Sequence, residues 1–174
     1  MAARERAHSW CRVTHVTRTT GRQWLELRIP PVLVWLIIAV AMLGVSYSAP
    51  RLSFTVARST AIALALVALG GGLAAAGVVA FRRKHTTVNP LTPGASSAVV
   101  ASGVYRVSRN PMYLGFLLVL AGWAAYLSNA GAALLLPVFV AYMTQFQIKP
   151  EERALLAKFG SEFAQYMSRV RRWI

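Results

Sequence analysis

Between two long apolar runs lies Gly103-Val104-Tyr105-Arg106-Val107-Ser108-Arg109-Asn110-Pro111-Met112-Tyr113-Leu114-Gly115, a polar, basic stretch ending in Asn-Pro-x-Tyr. Pro111 suits the first position of a helix with Asn110 as N-cap, because a proline there has no N–H to lose. Such a helix turns its first amides and the positive end of its dipole toward the polar segment, where a carboxylate or another anion can be held. Simple capping would account for Asn-Pro equally well. A second polar group, Glu151-Glu152, follows the last apolar run. These carboxylates are either functional or only complements to the dipole of the helix they begin. In a chain that enters a membrane, functional polar groups gather where helices meet the bilayer surface, so chemistry is expected at these two segments.

The elements that would position them are helices. The 174 residues allow one domain, and 56% of them are hydrophobic against 14% charged. Four apolar runs stand out, at about 29–49, 56–81, 111–127 and 131–146. The first two exceed the roughly 20 residues a bilayer crossing needs. The last two are shorter and are separated only by Ser128-Asn129-Ala130, as in a tight helical hairpin. An all-α, polytopic membrane bundle of about four spans is expected. A basic tail over 1–28 and a membrane domain over 29–174 divide the chain.

Charge sets the expected orientation. Six Lys or Arg lie in the N-terminal tail, five between runs two and three and six after run four, whereas only Arg51 and Arg58 lie between runs one and two. That asymmetry puts both termini and the polar segments on the cytoplasmic side. The net charge of +14 is then topological. No basic helix or aromatic-basic platform accompanies it, so no nucleic-acid partner is expected. With no Asp, one cysteine (Cys11) and three scattered histidines, no protein-ligated metal is expected either.

Run two carries Gly70-Gly71-Gly72, followed by Ala74, Ala75, Ala76 and Gly77. Small residues let helices pack closely in a membrane, and they also let a ligand lie against backbone; both readings stand. Residues 82–110 form a long segment punctuated by Asn89-Pro90 and Thr92-Pro93-Gly94, with a short interfacial turn expected near Ser96–Val100. After Glu151-Glu152, the apolar positions Leu155, Leu156, Phe159, Phe163, Tyr166, Met167, Val170 and Trp173 recur at mostly three- and four-residue steps. They predict a separate amphipathic helix at the interface.

Taken in order, these residues resemble the superfamily of isoprenylcysteine carboxyl methyltransferases and phospholipid methyltransferases. The resemblance runs from about Phe81 to Val170. It rests on Ser-Gly-Val-Tyr-x-x-x-Arg-x-Pro-x-Tyr-x-Gly, then Glu151-Glu152, Phe159-Gly160-x-Glu162-Phe163, Tyr166 and Arg169-Val170. It implies S-adenosylmethionine as cofactor, held by Ser97, Ala98, Val99, Val100, Tyr105, Asn110, Pro111, Met112, Tyr113 and Glu151, with Glu152, Gly70 and Gly72 as further members. Asn110, Tyr113 and Arg109 would serve the reaction, and Gln147 and Arg106 would meet the acceptor. The chemistry suits these types: a Glu pairs with the cofactor's ammonium, helix amides take its carboxylate, and tyrosine rings face adenine and the sulfonium.

Two departures bear on the acceptor. The His of the prenylcysteine enzymes' His-Pro-x-Tyr is Asn110 here, as in the phospholipid version. The Arg expected four residues before the glutamate is Gln147, and a neutral amide cannot grip a carboxylate in two charged hydrogen bonds. The resemblance therefore implies a small or lipophilic acceptor met in the membrane lipid, with phospholipid amine methylation as the alternative. A non-catalytic membrane carrier remains another class of reading. NADPH chemistry, as in sterol reductases with a similar C-terminal region, would call for additional spans.

Overall fold

The computed structural model describes residues 26–84 and 96–174. The expected 1–28 tail, with Cys11, lies almost wholly outside them, as do Asn89-Pro90 and Thr92-Pro93-Gly94. The chain is all-α. Helix α1 spans Pro31–Ser48, α2 Ser59–Arg83 and α3 Pro111–Leu127, followed by α4 (Ala130–Ala133), α5 (Leu135–Tyr142) and α6 (Lys149–Arg169). Among the described residues three helices are long and apolar enough to cross a membrane: α1, α2 and the path Ala130–Arg169. The shorter α3 is apolar as well.

The outer faces of these helices are dressed for lipid. Val40 on α1 is 68% exposed and Leu64 on α2 is 65% exposed, beside Val32, Leu33, Leu36, Ile37 and Leu69. A water-soluble protein rarely leaves contiguous patches of this kind uncovered, whereas hydrocarbon welcomes them.

Because lipid is as apolar as leucine, the helices hold together by close packing and hydrogen bonds instead. The buried residues of α2 are Ala63, Gly70 and Gly77, spaced by sevens along one seam. A Cβ on Gly70 would sit 2.5 Å from the Gly115 carbonyl oxygen, and one on Gly115 would meet that of Gly70 at the same distance. Further along the seam, a Cβ on Gly122 would come 2.9 Å from the Ala63 carbonyl oxygen. Helices α2 and α3 therefore touch backbone to backbone. Helix α1 is tied to α3 by two indoles: Trp35 Nε1 donates to the Phe116 carbonyl (3.2 Å) and Trp123 Nε1 to that of Ala39 (3.1 Å).

The expected hairpin between runs three and four is formed. Ser128 takes a left-handed conformation (φ 48°), and Asn129, fully buried, caps α4 by accepting from the Ala132 amide at 3.0 Å. Its Nδ2 donates to the Ala49 carbonyl (2.9 Å) and Ser53 Oγ (3.1 Å), which pins both helical turns at this end together.

One expectation is corrected. The fourth run and the C-terminal amphipathic segment are one helical path, joined through a π-helical turn at Met143–Ile148. Pro150 explains the turn. Proline has no N–H for the carbonyl four residues back, and its ring crowds that carbonyl. Widening the turn relieves the crowding, and the Phe146 oxygen accepts instead from the Leu27 amide at 3.1 Å. Within α6 the chain kinks at Gly160 (φ 51°, ψ −122°), which separates two helical stretches. Ser96–Val100 runs without regular structure.

Candidate active site

The start of α3, the start of the polar part of α6, and the short 3-10 helix Gly103–Arg106 converge at one end of the bundle. The apolar part of the Ala130–Arg169 path ends at Ile148, so Glu151 stands just beyond it. The buried Tyr113, half a turn into α3, donates its hydroxyl to Glu151 Oε1 at 2.5 Å. Among the described residues this is the one hydrogen bond to the Glu151 carboxylate, and it has no ion pair.

Its neighbour is different. Glu152 sits between two guanidinium groups, Arg109 at 3.2 Å and Arg172 at 2.6 Å, with a second bond from Arg172 Nε at 3.1 Å. The hydrogen bond to Glu152 raises the Arg172 pKa, outweighing the opposing effect of burial. The two expected cofactor carboxylates thus have separate situations: Glu152 is neutralised by the protein, and Glu151 is not.

Burial pushes the Glu151 carboxyl up to about 8, with the Glu152 charge adding to the rise and the Tyr113 hydrogen bond opposing it. Tyr105 is buried beside it. Its pKa lies well above the ordinary tyrosine value, first through burial and then through Tyr166 and Glu151. The Tyr166 hydroxyl donates to the Tyr105 carbonyl at 2.8 Å, and its own pKa is raised to about 12 by burial, against the pull of Arg109. Phe81 meets the Tyr105 ring edge-on, with centroids 5.3 Å apart.

Gly77, the last residue of the α2 seam, faces this cluster. A Cβ there would come 2.7 Å from Met112 Cγ, 3.6 Å from the Tyr105 hydroxyl and 3.7 Å from the Met112 amide nitrogen. The residues present fit an aminoacyl sulfonium ligand. A half-buried carboxylate without a cationic partner can take an ammonium. First-turn amides of α3, which have no carbonyl to reach within their own helix, can take a carboxylate. Tyr105 and Tyr113 are ring types that attract a cation, and Gly77 lets Met112 at the start of α3 pack close against α2.

Other expected residues are placed differently. Gly70 is consumed in the contact with Gly115, and Gly72 points away from the bundle with nothing within 4 Å. Of that run only Gly70 serves close packing, since Gly71 likewise has nothing within 4 Å. Asn110 occupies the N-cap position but its side chain caps nothing. Its Nδ2 donates instead to the Arg172 carbonyl at 3.0 Å, because the C-terminal segment lies across the start of α3. Gln147, fully buried one turn before Glu151, donates to the Ile29 carbonyl at 2.6 Å, and its Oε1 has no partner. Arg106 is exposed; Ser97 lies at the surface and Val100 is buried. Pro111 is buried, and Ala98, Val99 and Met112 are half-buried. In the sequence Gly77 is one of several small residues of run two, and the seven-residue spacing Ala63–Gly70–Gly77 sets it apart.

Residues 59–162 of the chain match the family model described as phospholipid methyltransferase. The chain belongs to this family. The matched segment holds Gly77, Tyr105, Tyr113 and Glu151 but ends before the residues that cross α3 from the C-terminus. Among relatives, the chain is 44% identical over 63 residues to an uncharacterized protein of Haemophilus influenzae, which covers 36% of this chain and all of that one. It is 42% identical over 67 residues to methanethiol S-methyltransferase 1 of Bradyrhizobium diazoefficiens, 38% of this chain and 22% of that one. It is 29% identical over 107 residues to protein-S-isoprenylcysteine O-methyltransferase B of Arabidopsis thaliana, 62% of this chain and 54% of that one. The chain therefore spans about a fifth and about half of these two named methyltransferases. No solved structure matches. Relatives of this phospholipid methyltransferase family member thus carry methanethiol and protein S-isoprenylcysteine in their names, so the family label does not fix the acceptor.

Proposed function

We propose that this chain is an integral membrane methyltransferase that moves a methyl group from S-adenosylmethionine to a small or lipophilic acceptor. The observation that carries the reading is the Glu151 carboxylate, held by Tyr113 at 2.5 Å and without an ion pair among the described residues, while Glu152 beside it has two. When bound, the cofactor supplies a methyl on a sulfonium, whose positive charge disappears on transfer. Glu151 would hold its ammonium, the Met112 and Tyr113 amides its carboxylate, and Tyr105 and Tyr113 the adenine and sulfonium side. The flanking Ser97–Val100 segment would complete the wall. A dry pocket that orients the acceptor supplies much of the acceleration for such a displacement, and no metal is called for.

Four spans with both termini cytoplasmic complete the proposal, on the charge asymmetry of the sequence. Gln147 and Arg106 are assigned to the acceptor side. Gln147 is neutral and already engaged with Ile29, which favours an amine, thiol or other neutral acceptor over a carboxylate. Phospholipid amine methylation is the second reading, favoured by the family match over 59–162. A carrier without catalysis is the reading from another class.

The test is calorimetric titration of the detergent-purified protein with S-adenosylmethionine and S-adenosylhomocysteine, beside Glu151→Gln. Saturable binding that the substitution weakens supports the proposal. A folded, lipid-supplemented protein that binds neither compound defeats it in favour of a carrier.

A further inference from the structure

The C-terminal residues touch the Gly103–Arg106 helix, the start of α3 and the start of α6. Tyr166 bonds the Tyr105 carbonyl. The Arg171 carbonyl accepts from the Arg109 amide at 3.0 Å, and the Arg172 carbonyl accepts from Asn110 Nδ2 at 3.0 Å. The Arg172 guanidinium closes on Glu152, and Trp173 Nε1 donates to Thr144 Oγ1 at 3.1 Å. These attachments lay the segment across the start of α3, beside Tyr105 and Glu152.

The segment joins the rest of α6 at one irregular residue. Gly160 interrupts α6 with φ 51° and ψ −122°, a conformation that side-chain-bearing residues avoid. A Cβ there would meet nothing within 4 Å, so space does not call for glycine; backbone freedom does. Beyond it, few apolar side chains are fully buried: Phe163 and Val170 alone in 161–174. Hydrogen bonds to carbonyls and a partly exposed ion pair hold the rest, and contacts of that kind open more readily than a packed core.

We propose that residues 161–174 form a strap, hinged at Gly160 and latched where Glu152 sits between Arg109 and Arg172, that must lift for a water-borne cofactor to reach the Tyr113–Glu151 pocket and that retains it once closed. This rests on the cofactor reading above. It gives the paired Glu152 a purpose distinct from that of Glu151. Glu152 fastens the cover, and Glu151 faces the ligand. It also explains why Asn110 spends its amide on the C-terminal segment and not on capping α3.

The experiment uses the full chain in lipid nanodiscs with S-adenosylhomocysteine as probe. Hydrogen exchange on the wild type should show amides in 161–174 slowing when the probe binds, with little change in α2. Stopped-flow binding should show Arg172→Gln speeding both association and dissociation several-fold, with Arg172→Lys falling between it and wild type. Gly160→Ala, strained at the positive φ of the closed form, should destabilise the latched arrangement and speed both. A merely structural role for Arg172 predicts weaker binding with no gain in association rate. That result, or binding with unchanged rates and unchanged exchange in 161–174, overturns the strap and leaves the cofactor reading intact. A wild-type protein that binds no probe overturns both.

Discussion

The Tyr113 hydroxyl and Glu151 Oε1 lie 2.5 Å apart across 38 positions of sequence, joining the first turn of α3 to the first turn of α6. Removing the donor alters both the position and the titration of the carboxylate. The Tyr113 bond pulls the Glu151 pKa down while burial and Glu152 push it up, so Tyr113→Phe should raise it above about 8. Cofactor binding should weaken by about tenfold, the order expected for a hydrogen bond to a charged group. Titrations over a pH series should place the variant's binding midpoint at higher pH than wild type; superimposable pH curves would contradict the assignment.

Stability without ligand should carry the opposite pH signature from an ordinary acid-labile carboxylate. With the folded pKa raised from 4.5 to about 8, the native state keeps a proton that the unfolded chain gives up. The contribution is complete below pH about 4.5 and is lost as pH rises through about 8. The apparent melting temperature in detergent should fall from pH 6 to pH 9, and Glu151→Gln should flatten that slope. Ligand binding that fills the site with an ammonium should likewise release a proton near pH 7. Calorimetry in two buffers of different ionisation enthalpy measures it directly.

Much of this was readable from residue types, for reasons that differ by element. The apolar runs reported α1, α2 and α3 because lipid demands continuous apolar faces, and Ser128-Asn129-Ala130 reported the hairpin because nothing longer separates the runs. The Asn-Pro-x-Tyr and Glu-Glu segments reported where polar groups gather, and the structure brings Tyr113, Tyr105 and Glu151 together. Periodicity did not reveal that α6 continues the preceding span. That continuity depends on Pro150 releasing the Phe146 carbonyl to Leu27, a contact between distant segments. Nor did residue type separate Glu151 from Glu152, since only the fold brings Arg109 and Arg172 to one and not the other.

Asn129 should prove the most sensitive residue at the end of the bundle away from the site. Its amide bonds the Ala49 carbonyl, Ser53 and the Ala132 amide while fully buried. Asn129→Ala leaves those partners without a substitute and removes the α4 cap, at a cost of about 2–4 kcal/mol by the usual worth of caps and buried polar groups. Thermal unfolding should register the loss. S-adenosylhomocysteine affinity of the protein that remains folded should stay near wild type, because the Tyr113–Glu151 pair lies at the opposite end of α3.

Three glycines of α2 should respond to the same substitution in three ways. At Gly70 a methyl meets the Gly115 carbonyl at 2.5 Å, and a helix backbone cannot step aside as a side chain can. Gly70→Ala should therefore force α2 from α3, costing about 1–3 kcal/mol as overpacking does. Gly72 has nothing within 4 Å, so Gly72→Ala should be neutral or stabilising by about 0.5–1 kcal/mol through helix propensity. Gly77→Ala presses on Met112 Cγ at 2.7 Å, one bond beyond that residue's Cβ, so Met112 must change its χ1 rotamer, a smaller demand than moving helix backbone, and the fold should survive. The displaced methionine and the new methyl then occupy the space beside the Tyr105 hydroxyl and the Met112 amide, and ligand affinity should drop at least tenfold. Melting curves and S-adenosylhomocysteine titrations on the three variants separate these outcomes. Loss of affinity at Gly72 with none at Gly77 would move the ligand up α2 and away from Tyr113 and Glu151.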